Sequence, residues 1–147
     1  MTKEIRDMLL LDLTTLRREL EAYPDEARLW KEGPGFSNPA GSLALHLAGN
    51  LQHFIGAVLG GTGYRRDRDG EFARRGVSRT EILRECDAAT RVVSSVLESL
   101  HHSALELEYP LPLDGTPIST GYMLVRLCRH FAYHLGQINY HRRIYGG

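Results

Sequence analysis

Leu9, Leu13, Leu16 and Leu20 recur at spacings of 4, 3 and 4, with Arg17, Arg18, Glu19 and Glu21 between and beside them. That period predicts an amphipathic helix of about twenty residues, one apolar stripe facing a core. Pro24 ends it, and Asp25 to Lys31 has room for one short helical turn before Gly33-Pro34-Gly35 breaks the chain again. Asn38-Pro39 predicts the next helix start, a capping side chain followed by proline at the first helical position. This second helix is expected to run through Leu43, Leu47, Leu51, Phe54 and Val58 to the Gly60-Gly61 stop. A polar, glycine- and arginine-rich loop from Gly60 to Gly76 follows, the longest uncovered stretch and a candidate edge of a site.

Ser78-Arg79-Thr80-Glu81 reads as a capping box, the serine and glutamate each expected to satisfy a free backbone N–H. Behind it Ile82, Cys86, Ala89, Val93, Val96 and Leu100 predict a core-facing helix, closed by His101-His102 near the free carbonyls of its end. Between Leu105 and Ile118 the pattern changes to alternation with prolines around Asp114-Gly115, which predicts a small hairpin or an extended crossover. Ser119 or Thr120 then caps a last helix reaching about Tyr145. Four long helices without an extended strand system predict an all-α fold, a four-helix bundle with a long crossover before its last helix.

Composition narrows this picture. A chain of 147 residues with 42% hydrophobic and 24% charged residues is sized for a single domain, 1–147, with a proper core. Its 18 Lys+Arg balance 18 Asp+Glu, so no basic excess exists to capture nucleic acid or an anionic membrane, and neither is expected as a partner. No apolar run approaches the roughly 20 residues of a membrane span, and the N-terminus shows no signal-peptide core. Cys86 and Cys128 stand alone without a CxxC, which points to a reducing, cytoplasmic setting and two small buried hydrophobes. A disulfide between them is open on sequence alone, as is any redox role.

The 7 histidines are not scattered. On the last helix Met123, Leu127, His130, His134, Gln137 and His141 repeat the 4-3-4 progression that carries aliphatic residues elsewhere. His130 and His134 at i and i+4 place two imidazoles one above the other, roughly 5–6 Å apart at Cβ, the spacing that clamps one metal ion. Phe131 follows His130, so this is not the HExxH protease helix, and neither histidine-bearing helix has the Glu-x-x-His of a di-iron bundle. A third ligand must come from elsewhere; the second helix offers His46, with Asn50 and His53 further along the same face. Without a metal, the same histidines read as surface or hydrogen-bonded residues of a structural bundle.

Leu45-His46-Leu47-Ala48-Gly49-Asn50 and the run from His130 to Ile138, with its H-x-x-x-H-x-G-Q pattern, resemble the DinB-like superfamily. The order and lengths of the four helices fit that family along essentially the whole chain. The resemblance implies a four-helix bundle whose histidine triad binds a divalent metal, often nickel or zinc. Carried over by motif, that triad is His46, His130 and His134, with Asn50 and Gln137 as candidates to orient the imidazoles. It also implies two functional classes, damage-inducible proteins and transferases using a low-molecular-weight thiol such as mycothiol or bacillithiol, with maleylpyruvate isomerase in the wider group. A homodimer fits the same resemblance.

Three neutral imidazoles on one ion leave positions for water or a small-molecule substrate, the pattern of a catalytic site. No Asp or Glu lies within the stretches 46–53 or 130–141, which leans toward activation of a thiol rather than hydrolysis with a carboxylate base. His53, Tyr133, Tyr140 and His141 are candidate proton relays. The alternatives are a metal-binding or stress-response bundle without turnover, and a structural or partner-binding one.

Overall fold

The computed structural model describes residues 1–146. It has helices α1 (Thr2–Glu21), α2 (Ala40–Leu51), α3 (Arg68–Ala73), α4 (Arg79–Ser99) and α5 (Thr120–Tyr145), with short 3-10 turns at Glu26–Trp30 and His102–Glu106. The four long helices form the expected all-α bundle, in which α1 and α2 each lie against both α4 and α5. Going round the bundle the order is therefore α1, α4, α2, α5. The chain crosses the diagonal twice: over residues 100–119, as expected, and also over residues 22–39. No helix among the described residues is long and apolar enough to cross a membrane.

Ile5, Leu9, Leu13, Leu16 and Leu20 of α1 are buried, as their period requires. On α4 the buried stripe is Ile82, Cys86, Ala89, Val93 and Leu97, so the last turn faces Leu97 inward where Val96 was expected. A straight helix drifts by about 20° per heptad against a 3.5-residue repeat, which after two heptads leaves Val96 and Leu97 on either side of the stripe. Ser78 caps α4 by accepting from the Glu81 N–H at 3.2 Å, while Glu81 turns to Arg74 rather than back to Ser78. The capping box is thus half made.

Every residue of α2 is buried. Its inner side meets α4 and α5, and the Glu26–Trp30 turn and α3 cover the outside, so Ala, Gly and Ser fill positions where a surface helix carries charge. The helix begins at Ala40 with Pro39 as its cap residue, and Asn38 makes no side-chain cap. Over Gln52–Leu59 it loosens into a π-helix, which replaces the expected Phe54 and Val58 on the core side with Ile55 and Gly56. Gly56 lets this segment close on α4: a Cβ there would stand 2.9 Å from a Val92 methyl. The Tyr109 hydroxyl, reaching over from the second crossover, donates to the Phe54 carbonyl at 2.7 Å.

That crossover turns at Asp114-Gly115, both at positive φ (48° and 79°), with Leu113 and Thr116 exchanging backbone hydrogen bonds of 2.9 and 2.8 Å. The hairpin stays minimal, two isolated bridges rather than paired strands. His101 does not close α4; its ring accepts from the Ser103 N–H and starts the following 3-10 turn. Cys86 and Cys128 are free, and burial pushes their thiols up to about 12 and about 11, so both are inert near neutral pH.

His141 is fully buried on α5, with Nδ1 2.7 Å from the Tyr23 hydroxyl and Nε2 2.9 Å from the Lys31 carbonyl. Nε2–H donates to the carbonyl and Nδ1 accepts from tyrosine, so the neutral ring fastens the first crossover to α5. Burial lowers its pKa, the Lys31 bond opposing it only in part. Burial likewise holds His130 down at about 4. Between the ordinary histidine range near pH ~6.5 and these lowered values the unfolded chain binds more protons than the folded one. Stability of the metal-free protein is therefore expected to fall as pH drops from 7 toward 4, read as a lower urea midpoint at pH 5 than at pH 7.

Candidate metal centre

The apolar flank of α5 turns inward: Leu124, Leu127, Phe131, Leu135 and Ile138 are core, His141 is buried as its spacing predicts, and His130 and His134 stand at the edge of the core. That rotation lets His130 and His134, one turn apart and half-buried, face buried His46 of α2. The three ring centroids lie 4.7 to 5.2 Å apart in mutually edge-on pairs. One nitrogen from each ring falls within 4.8 Å of the other two, and the Nε2 atoms of His46 and His130 are 3.0 Å apart. Two ligands on one ion at ~2.1 Å stand roughly 3.0 to 3.4 Å apart, so the His46–His130 pair has the separation of two ligands of one ion, with His134 close enough to be the third.

Two outer nitrogens are held. His46 Nδ1 donates to Glu71 Oε1 at 3.0 Å, and His134 Nδ1 lies 2.6 Å from Gln137 Oε1. Arg66 Nη2 also lies 3.1 Å from His46 Nδ1, but Glu71 Oε1 and Gln137 Oε1 can only accept, which favours on each ring the tautomer that leaves Nε2 bare for a cation, the carboxylate–histidine arrangement seen around metal ligands. His130 Nδ1 is buried without a partner. The donor set, all imidazole and with space on one side, fits a divalent transition-metal ion.

Glu71 comes from the stretch read in sequence as an uncovered loop. Asp67 caps α3 there by accepting from the Gly70 N–H at 2.9 Å, and the helix turns Glu71 inward to 3% exposure. Arg66 grips both carboxylate oxygens at 2.8 and 2.9 Å, which neutralises a charge that could not stand alone at this depth. Burial raises the carboxyl pKa, but the bonds from His46 and Arg66 outweigh it and hold Glu71 ionised below its usual range. Sequence spacing gave no direct pointer to Glu71. Asp67 with acids in the following turn is the one local signal of a helix start.

Glu71 also needs Gly49. A Cβ on that residue would stand 2.8 Å from the Glu71 carboxyl carbon. Gly49→Ala is expected to push the carboxylate off His46 and lower metal affinity by about 10–100-fold, the usual effect of losing such a partner. Competition with a chromophoric chelator measures it.

The other candidates separate. Asn50 is buried and lines the cavity before the histidines, but the partner of His46 is Glu71. Gln137 Oε1 is the hydrogen-bond partner of His134 Nδ1, and its Nε2 approaches the Tyr133 hydroxyl at 3.4 Å. His53, on the π segment, keeps its Nδ1 buried without a partner and its pKa lowered by burial and then by Arg66. His141 is engaged in the core by Tyr23 and Lys31. Tyr133 and Tyr140 are exposed.

Two cavities meet at the cluster. One, of about 530 Å³, is walled by His46, His130 and His134 together with Arg66, Phe72, Tyr109 and the second crossover. The other, of about 620 Å³, runs along α5 past Tyr133, Gln137 and Tyr140 beneath residues 34–38. His134 and Asn38 line both.

The sequence profile of the DinB superfamily matches residues 9–138, a span that contains all three histidines. No curated protein matches the chain.

Proposed function

Because the chain belongs to the DinB superfamily, we propose that His46, His130 and His134 hold a divalent ion, zinc or nickel, and that the protein is a metal-dependent enzyme acting on a small molecule. The observation that carries this reading is the convergence of three imidazoles, two with their outer nitrogens fixed, on the wall of a 530 Å³ cavity. A structural site has no use for such a cavity, whereas a catalytic one needs an open side. The bound ion would supply Lewis acidity, holding a coordinated water or thiol as its anion near neutral pH.

Between hydrolysis and thiol-dependent transfer, the surroundings favour transfer. Glu71, the carboxylate bonded to His46, has both its oxygens engaged by Arg66 and His46, and the other carboxylate of the cavity, Asp114, stands exposed at the crossover turn, so no buried base is held beside the histidines for water. Two cavities sharing His134 give separate approaches for two reactants, a low-molecular-weight thiol and its acceptor. Tyr133 and Tyr140 line the second cavity and are the proton relays of this reading. His53 is a weaker candidate, and His141 serves the fold.

A second reading, metal binding without turnover in a stress response, draws on the same cluster. A purely structural reading takes the 3.0 Å approach of His46 and His130 as a plain hydrogen bond. The reading includes a cytoplasmic setting and a homodimer, for which exposed Met8, Leu11, Tyr122 and Val125 on α1 and α5 offer apolar surface. The test is turnover of a thiol with electrophilic acceptors by metal-loaded and chelated protein. Activity lost on chelation and restored by zinc or nickel supports the enzyme. Stoichiometric metal with no turnover across thiols and esters supports the second reading.

A further inference from the structure

The cavity before the histidines carries positive charge that the metal site does not use. Arg66 is matched by Glu71, but Arg68 and Arg126 line the same space with no carboxylate partner among the described residues. Several surface arginines elsewhere also lack an acid partner; what sets Arg68 and Arg126 apart is that both line the cavity that holds the three histidines. The two guanidinium groups arrive from different elements. Arg126 stands one turn before His130 on α5, and Arg68 opens α3 with its guanidinium 5.4 Å from the centre of the Phe72 ring. Phe72 in turn lies 4.7 Å from the His46 ring, so one stack links Arg68 to the cluster. Asp114, exposed at the crossover turn, is the one carboxylate among the lining residues. Tyr109, Ile118, Met123 and Leu127 make much of the remaining wall apolar.

We propose that Arg68 and Arg126 make this cavity selective for a small ligand bearing a carboxylate, held by the two guanidinium groups while its other end faces the histidines. The inference rests on the reading of those histidines as the reacting end of the cavity. A guanidinium presents paired N–H donors that match a carboxylate edge to edge, and stacking on an aromatic ring limits the conformations Arg68 must give up. A neutral amide of the same shape loses the charge-assisted bonds and places an N–H₂ against donors, a difference of roughly 10–100-fold in affinity. The volume of about 530 Å³ suits a molecule of metabolite size.

Calorimetric titration of the zinc-loaded protein with succinate and with succinamate tests this. Succinamate has one carboxylate for two cationic ends, so only succinate can satisfy the ion and the arginines together. Succinate is expected to bind roughly 10–100-fold tighter, and the Arg68→Ala/Arg126→Ala double variant is expected to close that gap while metal content stays at the parent level. Both side chains are exposed, so the variant keeps its core, and Arg68→Lys with Arg126→Lys should recover part of the preference. Equal binding of the two probes, binding of neither, or a gap unchanged in the double variant overturns the proposal. A parent protein that takes up no zinc contradicts the metal reading instead, and the same titration on metal-free protein then still decides the arginine pair.

Discussion

His130→Ala is expected to abolish tight metal binding while leaving the bundle folded. The side chain is half-buried at the edge of the core, and its neighbour Phe131 supplies the packing on α5. Its Nδ1 makes no hydrogen bond that the substitution would break, and its Nε2 meets His46 alone. Removing a ligand outright must cost more than the roughly 10–100-fold that follows the loss of an outer hydrogen bond. Titration with zinc against a competing chelator should show at least that much, with a helical circular-dichroism spectrum like the parent's. Unchanged affinity would mean that the imidazoles are satisfied by one another.

Glu71→Ala is expected to damage both the site and the fold. The carboxylate is 3% exposed and accepts from His46 and, twice, from Arg66, whose side chain is 10% exposed. Without it a guanidinium is stranded beneath the surface, and breaking a buried pair by removing one partner costs about 3–5 kcal/mol. That is a large share of the roughly 5–15 kcal/mol that holds a domain together. The His46 ring also loses the acceptor that fixes its tautomer, so metal affinity should fall by about 10–100-fold. Glu71→Gln keeps the shape and one acceptor oxygen, and should recover part of the stability. Chemical denaturation of the metal-free proteins separates the fold effect from the binding effect.

The helices were legible because burial writes a period into the sequence, and α1 follows its leucines from Leu9 to Leu20. α2 departs from its expected stripe where that period is not the governing constraint. With every side buried it has no polar face to set a phase, and the π segment lengthens the repeat after Leu51. The histidines were legible for the opposite reason, since imidazoles at aliphatic spacings are out of place on a core-facing helix. The expectation that they take aliphatic core positions holds for His141 and fails in a useful way for His130 and His134. Leu127, Phe131 and Leu135 take the core, and the rotation aims His130 and His134 at His46.

Glu71 lay beyond such reasoning. A carboxylate two-thirds of the way along a polar stretch reads as solvated, and its burial depends on the absent side chain of Gly49 and on the guanidinium of Arg66. Neither contact has a sequence period. The same holds for the arginine pair of the cavity, which the balanced net charge conceals.

The central claim is that the three histidines form one metal site. The most direct measurement is element-resolved metal content of protein prepared without a polyhistidine tag, stripped with a chelator and re-equilibrated with zinc and nickel. One divalent ion per chain, lost in His46→Ala and His134→Ala alike, is the predicted result. No retained ion in the parent, or a full complement retained by both variants, would contradict it.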